Sequence, residues 1–239
     1  MLSLKNLVKE LVLGKKASSE SYIKYLRKRG AFVGERTKFF SPLQISIDDT
    51  QPWLIEIGND VQITGGVRIL THDYSWSVLK RAYGPIVGMA GKVKIGNNVF
   101  IGSDSIILGG TEIGDNVIIG AGSLVKGKIP SNCVAVGVPA KPVMSLKEFY
   151  EKRLERYEIE AFILVNEYIN HYEKKPNKEI LHEFFFLFED GDNLEKTYDD
   201  KLNLCGNRNE SLAMLKGQKP KYKDFDTFLQ AAIENNEQQ

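Results

Sequence analysis

A six-residue repeat between Ile95 and Val125 constrains the fold more than any other feature of this sequence. An aliphatic residue opens each unit of six: Ile95, Ile101, Ile107, Ile113, Ile119 and Val125. A small or β-branched residue follows four positions later: Val99, Ser105, Thr111, Val117 and Ser123. A period of six drifts around a helix of 3.6 residues per turn, so the pattern excludes an amphipathic helix. Short strands joined by tight turns retain it, and such repeats build a parallel β-helix with these residues pointing inward.

Glycine follows the aliphatic residue at positions 96, 102, 114 and 120. We therefore expect Gly or Asn at the turn positions, where the backbone needs unusual angles. The alternative is an antiparallel meander, whose strands would not keep register through so many repeats. Right-handed crossovers are the default in ordinary sheets, and the periodicity itself leaves the hand of the coils open.

A break in the repeat separates two runs of hexads. The first run opens at Ile57, Ile63 and Ile69, and the spacing from Ile69 to Ile95 is not a multiple of six. A loop over residues 73–91, rich in aromatic and basic residues, must therefore leave the β-helix and return. Loops on a rigid scaffold often carry function. Residues 31–51 are interpreted as the first coil, with degraded repeats.

Helical segments are predicted on both sides of a β-helix domain at 31–144. Within residues 1–30, apolar spacing from Leu4 to Leu11 predicts one helix, and a second runs from Ser18 or Ser19 to Arg29 and ends at Gly30. Ser145 and Glu148 form a capping box that opens a long helix in a helical extension at 145–239. The FFFLF stretch of that extension is expected to be buried against the β-helix or a neighbouring subunit.

Composition narrows the class of protein. The 239 residues carry a net charge of +1, which gives no electrostatic case for a nucleic-acid partner. Cys133 and Cys205 stand apart from any Cys/His grouping, so neither a zinc site nor a disulfide framework is expected. The N-terminal residues lack the apolar run of a signal peptide, and no segment has the length of a membrane span. We therefore expect a cytoplasmic protein.

His72 is the strongest candidate for chemistry among the three histidines. It follows Ile69-Leu70-Thr71, at the point where the hexads give way to the loop. An imidazole there could accept a proton near neutral pH, although a lone histidine is as often structural. His171 and His182 fall in the helical extension and are interpreted as surface or interhelix residues. The Gly-rich hexads are repeat turns and not a dinucleotide site, since no helix follows them.

The stretches ILTHDYS, KVKIGNNVFIGSDS, IIGAGS and VGVPAKPV resemble the hexapeptide-repeat acyltransferases. The most similar branch holds galactoside, maltose, nodulation-factor, capsule and lipopolysaccharide O-acetyltransferases and the streptogramin and chloramphenicol xenobiotic acetyltransferases. The resemblance covers about residues 52–143, roughly half the chain. It implies left-handed coils, acetyl-CoA as co-substrate without a metal, and a homotrimer whose active sites lie between subunits.

The resemblance also implies roles for particular residues. His72 matches the general base on the acceptor hydroxyl, and Ser103 matches a residue whose backbone N–H stabilises the oxyanion. The remaining matches concern acetyl-CoA: Ala121 contacts the pantetheine arm, Gly137, Ala140 and Lys141 fall near its end and the CoA phosphates, and Lys126 or Lys128 adds charge there. In two places this chain departs from the family pattern. Phe100 replaces a Trp that packs beside the acceptor, and Lys126-Gly127-Lys128 replaces a Thr-Lys-Asp run.

The partners of His72 are left open by the sequence. A base of this kind needs an acceptor on its other ring nitrogen, and Asp48, Asp49, Asp73 or a backbone carbonyl could supply it. Asp48 and Asp49 are preferred, because the preceding coil lies beneath His72. Tyr74, Trp76 and Tyr83 of the loop, together with Phe100, could stack on the acceptor.

The predicted function is O-acetylation of a sugar hydroxyl on a surface polysaccharide, a lipopolysaccharide or a nucleotide-sugar precursor. The aromatic loop suits a drug ring equally well, so a xenobiotic acetyltransferase is an alternative. A non-catalytic β-helix scaffold is a third possibility, opposed by the retained His72 and the intact IGAGS hexad. The sequence also leaves N-acetylation and a longer acyl donor open.

Overall fold

The computed structural model describes residues 12–237. The helix predicted from Leu4 to Leu11 therefore lies outside the described residues. The chain divides into two compact units, one ending at Phe149 and the other beginning at Tyr150. Among residues 12–237, no helix has both the length and the apolar character needed to cross a membrane.

Short strands dominate the first unit. In chain order they are β1 Phe32–Val33, β2 Lys38–Phe39, β3 Ser46–Ile47, β4 Ile55–Ile57, β5 Gln62–Ile63, β6 Arg68–Ile69, β7 Val93–Ile95, β8 Val99–Ile101, β9 Ile106–Ile107, β10 Glu112–Ile113, β11 Val117–Ile119, β12 Leu124–Val125, β13 Lys128–Ile129, β14 Cys133–Gly137 and β15 Ala140–Ser145. They form three sheets: sheet A (β1-β4-β7-β10-β13), sheet B (β15-β14-β11-β8-β5-β2) and sheet C (β12-β9-β6-β3).

Successive strands enter sheets A, B and C in turn, so each coil adds one strand to every sheet. The neighbouring coils pair in parallel, for example β5 with β8, and only the closing pair β14–β15 is antiparallel among the described strands. The fold is a left-handed parallel β-helix, as predicted. Residues 31–51 form its first coil, also as predicted, because β1, β2 and β3 each pair with a strand of the second coil.

The core of the β-helix consists of the residues that the repeat places inside. The aliphatic residues that open the hexads, from Ile57 through Ile95 to Val125, are at most 1% exposed. The small residues at the fifth hexad position are equally buried, and the Thr111 hydroxyl donates to the Val125 carbonyl at 3.1 Å. A hydroxyl can therefore lie inside the stack, because a backbone carbonyl satisfies it.

Two different constraints explain the turn residues. The left-handed conformation occurs three positions after the inward aliphatic residue, with φ of 52° at Asn98, 84° at Gly110 and 69° at Gly122. Gly and Asn adopt it at low cost. Gly102 is needed for another reason, since a Cβ there would lie 2.5 Å from the backbone nitrogen of Ala121 in the next coil. The expectation that glycine marks positions with unusual backbone angles is thus wrong for the glycines at 96, 102, 114 and 120. These glycines are needed because the next coil packs closely against them.

The described part of the first unit also contains helices that lie outside the coils. Helix α1 is Ser19–Arg29; Ser18 caps it by accepting from the Ser21 N–H at 3.1 Å, and Gly30 ends it at φ 104°, as predicted. Helix α2, Trp76–Tyr83, lies within the excursion at 73–91. The sequence did not predict α2, because its apolar side chains, such as Val78 at 70% exposure, are not directed into a core.

The second unit contains most of the remaining helices. They are α3 Leu146–Tyr172, α4 Lys196–Leu202, α5 Arg208–Gly217 and α6 Phe225–Glu237. The capping box is confirmed: Ser145 N–H donates to the Glu148 carboxylate at 2.7 Å, and Glu148 N–H donates to Ser145 Oγ at 3.1 Å. The interpretation of FFFLF was wrong, since Phe185 and Phe188 are buried in the core of this unit itself, where Phe185 stacks on Tyr198 at 4.7 Å.

Candidate active site

The three edges of the β-helix, where the chain turns from one sheet to the next, differ in chemistry. At the AB edge, between sheets A and B, side-chain ladders cross the coils. Asn59 N–H donates to Asn97 Oδ1 at 2.9 Å, and Asn97 N–H donates to Asp115 Oδ1 at 2.6 Å. These polar side chains satisfy the backbone of the next coil, so the AB edge has a structural role.

His72 lies on the CA edge, three residues after β6. Its Nδ1 is 2.6 Å from Asp48 Oδ2, and the side chains of His72 and Asp48 are 22% and 7% exposed. Asp48 comes from the coil beneath, directly after β3, so the parallel pairing of β3 with β6 brings the two residues together. The imidazole is thus held from below while part of the ring remains open to a reactant.

Asp48 is organised as an acceptor. Its Oδ1 accepts from the Thr50 N–H at 3.0 Å and the Thr50 hydroxyl at 2.7 Å. Its Oδ2 accepts from the Thr71 hydroxyl as well as from His72. Burial acts to raise the pKa of Asp48, but the hydrogen bonds from Thr50, Thr71 and His72 prevail and hold it well below its usual range. Asp48 is therefore a carboxylate at neutral pH.

The other two carboxylates considered as partners of His72 have different partners. Asp49 accepts from Lys15 Nζ at 2.7 Å and from the Tyr25 hydroxyl at 2.6 Å. Asp73 accepts from the N–H and the hydroxyl of Ser75 at 2.9 and 2.7 Å. Of the alternatives that the sequence left open, the structure selects Asp48.

One of the three loop aromatics, Tyr74, contacts the histidine, and a second, Trp76, contacts Tyr74. The Tyr74 ring is 5.6 Å from the His72 ring in an edge-on arrangement, and Trp76 is 6.0 Å from Tyr74. Tyr83, at the end of α2, is 80% exposed and has no ring contact with His72 among the described residues. Phe100 points outward from sheet B between Gln62 and Ile118, away from the CA edge.

Ser103 lies on the BC edge and marks a second candidate region. The Ser103 N–H has no acceptor within residues 12–237, while its carbonyl accepts from Gly122 N–H at 2.7 Å. Ala121 lies in the next coil on the same edge, and Gly137 N–H donates there to Ser123 Oγ at 3.2 Å. Ser103, Ala121 and Gly137 therefore follow one another along one edge.

An open cleft of about 590 Å³ adjoins this edge. Its lining residues are Phe40, Ser41, Gln44, Thr64, Gly65, Gly66, Ser103 and Asp104. The Ser103 hydroxyl donates to Thr64 Oγ1 at 3.3 Å. Sequence reasoning missed the side chains Gln44 and Thr64 here, as well as Thr50 and Thr71 around Asp48, because these residues belong to no motif that marks a functional site.

Within one chain, the His72 region and the Ser103 region lie on opposite sides of sheet C. His72 is where the strands of sheet C end, and Ser103 is where they begin. Strand β6, which precedes His72, pairs in parallel with β9, which follows Ser103. Lys126 lies on the CA edge after β12, and Lys128 Nζ is 3.2 Å from the Glu112 carboxylate on sheet A. Neither lysine therefore joins Ser103 within one chain. Ala140 pairs with Gly137 in the closing hairpin, and the neighbouring Lys141 is exposed.

Comparisons with known proteins agree with this architecture. Residues 92–127 match the family model described as bacterial transferase hexapeptide (six repeats). Protein CapG of Staphylococcus aureus is 43% identical over 142 residues, which are 59% of this chain and 81% of CapG. The chain belongs to the hexapeptide-repeat acyltransferase family. The family resemblance of the sequence is thereby confirmed, and the chain is an acyltransferase.

Two solved structures are also similar to part of the chain. A maltose O-acetyltransferase from Clostridium difficile 630 is 31% identical, with a TM-score of 0.38, over 53% of this chain and 75% of that one. A galactoside acetyltransferase in complex with coenzyme A is 26% identical, with a TM-score of 0.41, over 62% of this chain and 83% of that one.

Proposed function

We propose that the protein transfers an acetyl group from acetyl-CoA to a hydroxyl of a sugar, carried by a surface polysaccharide, a lipopolysaccharide or a nucleotide-sugar precursor. The transfer is direct, and His72 is the general base. The observation that carries this proposal is the 2.6 Å contact between His72 Nδ1 and Asp48 Oδ2 at the edge where the excursion leaves the β-helix. Family membership supplies the reaction class, and the His72–Asp48 pair supplies a base.

The partners of Asp48 determine which ring nitrogen is available. A carboxylate can only accept, so Nδ1 carries the proton of the His72–Asp48 hydrogen bond and Nε2 keeps its lone pair. When Nε2 accepts the hydroxyl proton, the new imidazolium lies against the Asp48 carboxylate. The carboxylate binds an imidazolium more strongly than a neutral imidazole, so the pair stabilises the transition state more than the ground state.

The reaction then needs no covalent enzyme intermediate. As Nε2 removes the proton, the hydroxyl oxygen attacks the thioester carbonyl carbon and a tetrahedral oxyanion forms. The Ser103 N–H, which has no acceptor among the described residues, is suited to stabilise that oxyanion. Collapse breaks the C–S bond, and the leaving thiolate takes the proton back from His72, giving the acetyl ester and coenzyme A.

His72 and Ser103 can act on one substrate only if they come from different copies of the chain. We therefore propose a homotrimer in which the CA edge of one copy faces the BC edge of the next. Sheet C connects these two edges, and two of its outward side chains, Ile106 and Leu124, are apolar and half-buried. Lys126 of one copy would then approach the acetyl-CoA that lies along Ser103 and Ala121 of its neighbour.

The sugar class is supported by the aromatic residues beside the base. Tyr74 is 70% exposed and its ring lies 5.6 Å from the His72 ring, so it is available to contact an acceptor bound beside His72. Aromatic rings pack well against the C–H face of a pyranose while its hydroxyls remain available for hydrogen bonds. Trp76 extends this surface, 6.0 Å from Tyr74.

The proposal is tested by replacing His72 with alanine. General-base catalysis contributes about 10²–10⁴-fold, so His72→Ala should lower kcat by a factor in that range while acetyl-CoA affinity and melting temperature stay close to the parent. The assay follows thiol release from acetyl-CoA with a panel of sugars, nucleotide sugars and streptogramins. His171→Ala and His182→Ala are the controls and should retain activity. A His72→Ala enzyme within a few-fold of the parent on its best acceptor would refute the base assignment.

A further inference from the structure

The turn at residues 48–50 contacts His72 on one side and the N-terminal segment on the other. Asp48 uses its side chain for His72 and Thr71, and its N–H donates to the Ile69 carbonyl at 2.9 Å. Thr50 closes the turn by donating to Asp48. These bonds hold residue 48 against the second coil. The orientation of the rest of the turn depends on contacts with the N-terminal segment.

Three residues of the N-terminal segment contact Asp49. Lys15 Nζ and the Tyr25 hydroxyl donate to the same carboxylate oxygen, Asp49 Oδ2, at 2.7 and 2.6 Å. Lys15 Nζ also lies 4.1 Å from the centre of the Tyr25 ring. Arg29, the last residue of α1, donates from its guanidinium to the Asp49 carbonyl at 2.8 Å. Both the side chain and the backbone of Asp49 are thus held by the N-terminal segment.

These contacts are more than an isolated surface ion pair. One exposed pair contributes little to stability, because screening and side-chain entropy offset its attraction. Here two donors share one oxygen and a third fixes the adjacent carbonyl. The hydrogen bonds from Lys15 and Tyr25 lower the pKa of Asp49, and the Asp49 bond raises the pKa of Lys15. The cluster therefore keeps its charges over the pH range in which a histidine titrates.

We propose that Lys15, Tyr25 and Arg29 are positioning residues for His72, acting through Asp49 and the turn at 48–50. The inference rests on the proposed function, in which His72 is the base. Its physical basis is that the Asp48 carboxylate can hold the imidazole in one orientation only if its own backbone is fixed. A base displaced by as little as about 1 Å can lose on the order of 10²-fold in rate.

Tyr25→Phe provides the main test, because it removes one hydrogen bond and keeps every charge. We expect kcat to fall about tenfold, because losing one of the three contacts should displace His72 by less than about 1 Å. The KM for acetyl-CoA should be unchanged. The acid limb of the kcat–pH profile should move to lower pH, since a looser Asp48 stabilises the imidazolium less. The titratable and charged groups around His72 are Asp48, Asp73 and Tyr74, and those around Asp49 are Lys15, Tyr25 and Arg29. If Tyr25→Phe acted only by leaving more negative charge on Asp49, the acid limb would move to higher pH. A shift to lower pH therefore identifies a positioning effect.

Asp60→Asn is the matched control. It breaks a comparable ion pair, with Arg36 at 2.6 Å, on the AB edge of the same β-helix, and should change neither kcat nor the pH profile. Lys15→Met is a second test variant in case Tyr25→Phe lowers the melting temperature; it should fold like the parent and lose a few-fold in kcat.

The outcomes separate this inference from the function on which it rests. Activity retained by His72→Ala would refute the general base itself. If His72→Ala is inactive while Tyr25→Phe and Lys15→Met both keep the parental kcat and pH profile, the N-terminal contacts are only structural and the positioning role is overturned.

Discussion

Replacing Asp48 by asparagine changes one atom and tests the core of the proposed site. The carboxylate accepts five hydrogen bonds, from the N–H and hydroxyl of Thr50, the N–H and hydroxyl of Thr71, and His72 Nδ1. An amide has one acceptor oxygen and one NH₂ donor. Whichever way the amide is turned, its NH₂ group therefore meets groups that also donate.

The cost follows from the two orientations. If the amide oxygen faces His72, the NH₂ meets the Thr50 N–H, and that unpaired donor costs about 1–3 kcal/mol of folding free energy. If the NH₂ faces His72, Nδ1 must accept, the proton moves to Nε2, and the nitrogen that should remove the hydroxyl proton is blocked. In both cases the imidazolium loses its carboxylate, so we expect kcat to fall by about 10²–10⁴-fold.

The assay is kcat from thiol release, with Asp73→Asn as the matched control. Asp73 neighbours His72 in sequence, but its carboxylate accepts only from Ser75 among the described residues, so the control should behave like the parent. Equal activities of the two variants would refute the assignment of Asp48 as the residue that orients His72.

Stability against pH gives an independent readout of the same substitution. The native pKa of Asp48 lies below its unfolded value of about 3.9. Its stabilising contribution is therefore complete above that pH and is lost as the pH falls through the native pKa. The stability gap between parent and Asp48→Asn should narrow below about pH 4, as measured by denaturant unfolding. A gap that stays unchanged down to pH 2 would contradict the low native pKa.

Three further predictions concern the scaffold. Asn97→Ala removes a rung of the AB-edge ladder and should lower the unfolding free energy by about 1 kcal/mol with kcat unchanged; lost activity would give this edge a role in catalysis. Ile113→Asp places a carboxylate at a position 1% exposed and should unfold the coil stack by circular dichroism, whereas the outward neighbour Glu112→Gln should fold normally. Sedimentation at micromolar concentration should give a trimer, and a monomer alone would leave the site incomplete.

The hexad period predicted the β-helix because every sixth residue occupies the same buried, inward-facing position of a strand. Each aliphatic residue from Ile57 to Val125 packs above the same position of the previous coil, so one pattern determines the strands and their register. Segments without such repetition were harder to predict. Helix α2, Trp76–Tyr83, has eight residues and no buried side chain, and α4, Lys196–Leu202, has only seven residues, so neither spans enough turns for a repeated apolar pattern.

The partner of His72 required three-dimensional information. Asp48 and Asp49 are adjacent in sequence and both carry carboxylates, so sequence reasoning could not choose between them. They differ because the Asp48 side chain points to the second coil and the Asp49 side chain to the N-terminal segment. These orientations depend on the hydrogen bonds from Thr50 to Asp48 and from Lys15 to Asp49. Hydroxyl and amine donors of this kind have no distinctive spacing in the sequence.

The separation of His72 from Ser103, in contrast, follows from the repeat itself. Ser103 precedes β9 and Ala121 precedes β12, at equivalent positions of successive coils, so they must share the BC edge. Ile69 pairs with Ile107, and Thr71 lies over Gly109, where a Cβ would come within 2.9 Å of the Thr71 carbonyl oxygen. His72 is therefore level with the far end of sheet C. A reaction that needs both the base and the Ser103 N–H then requires two copies of the chain, because rigid stacked coils cannot bring two edges of one prism together.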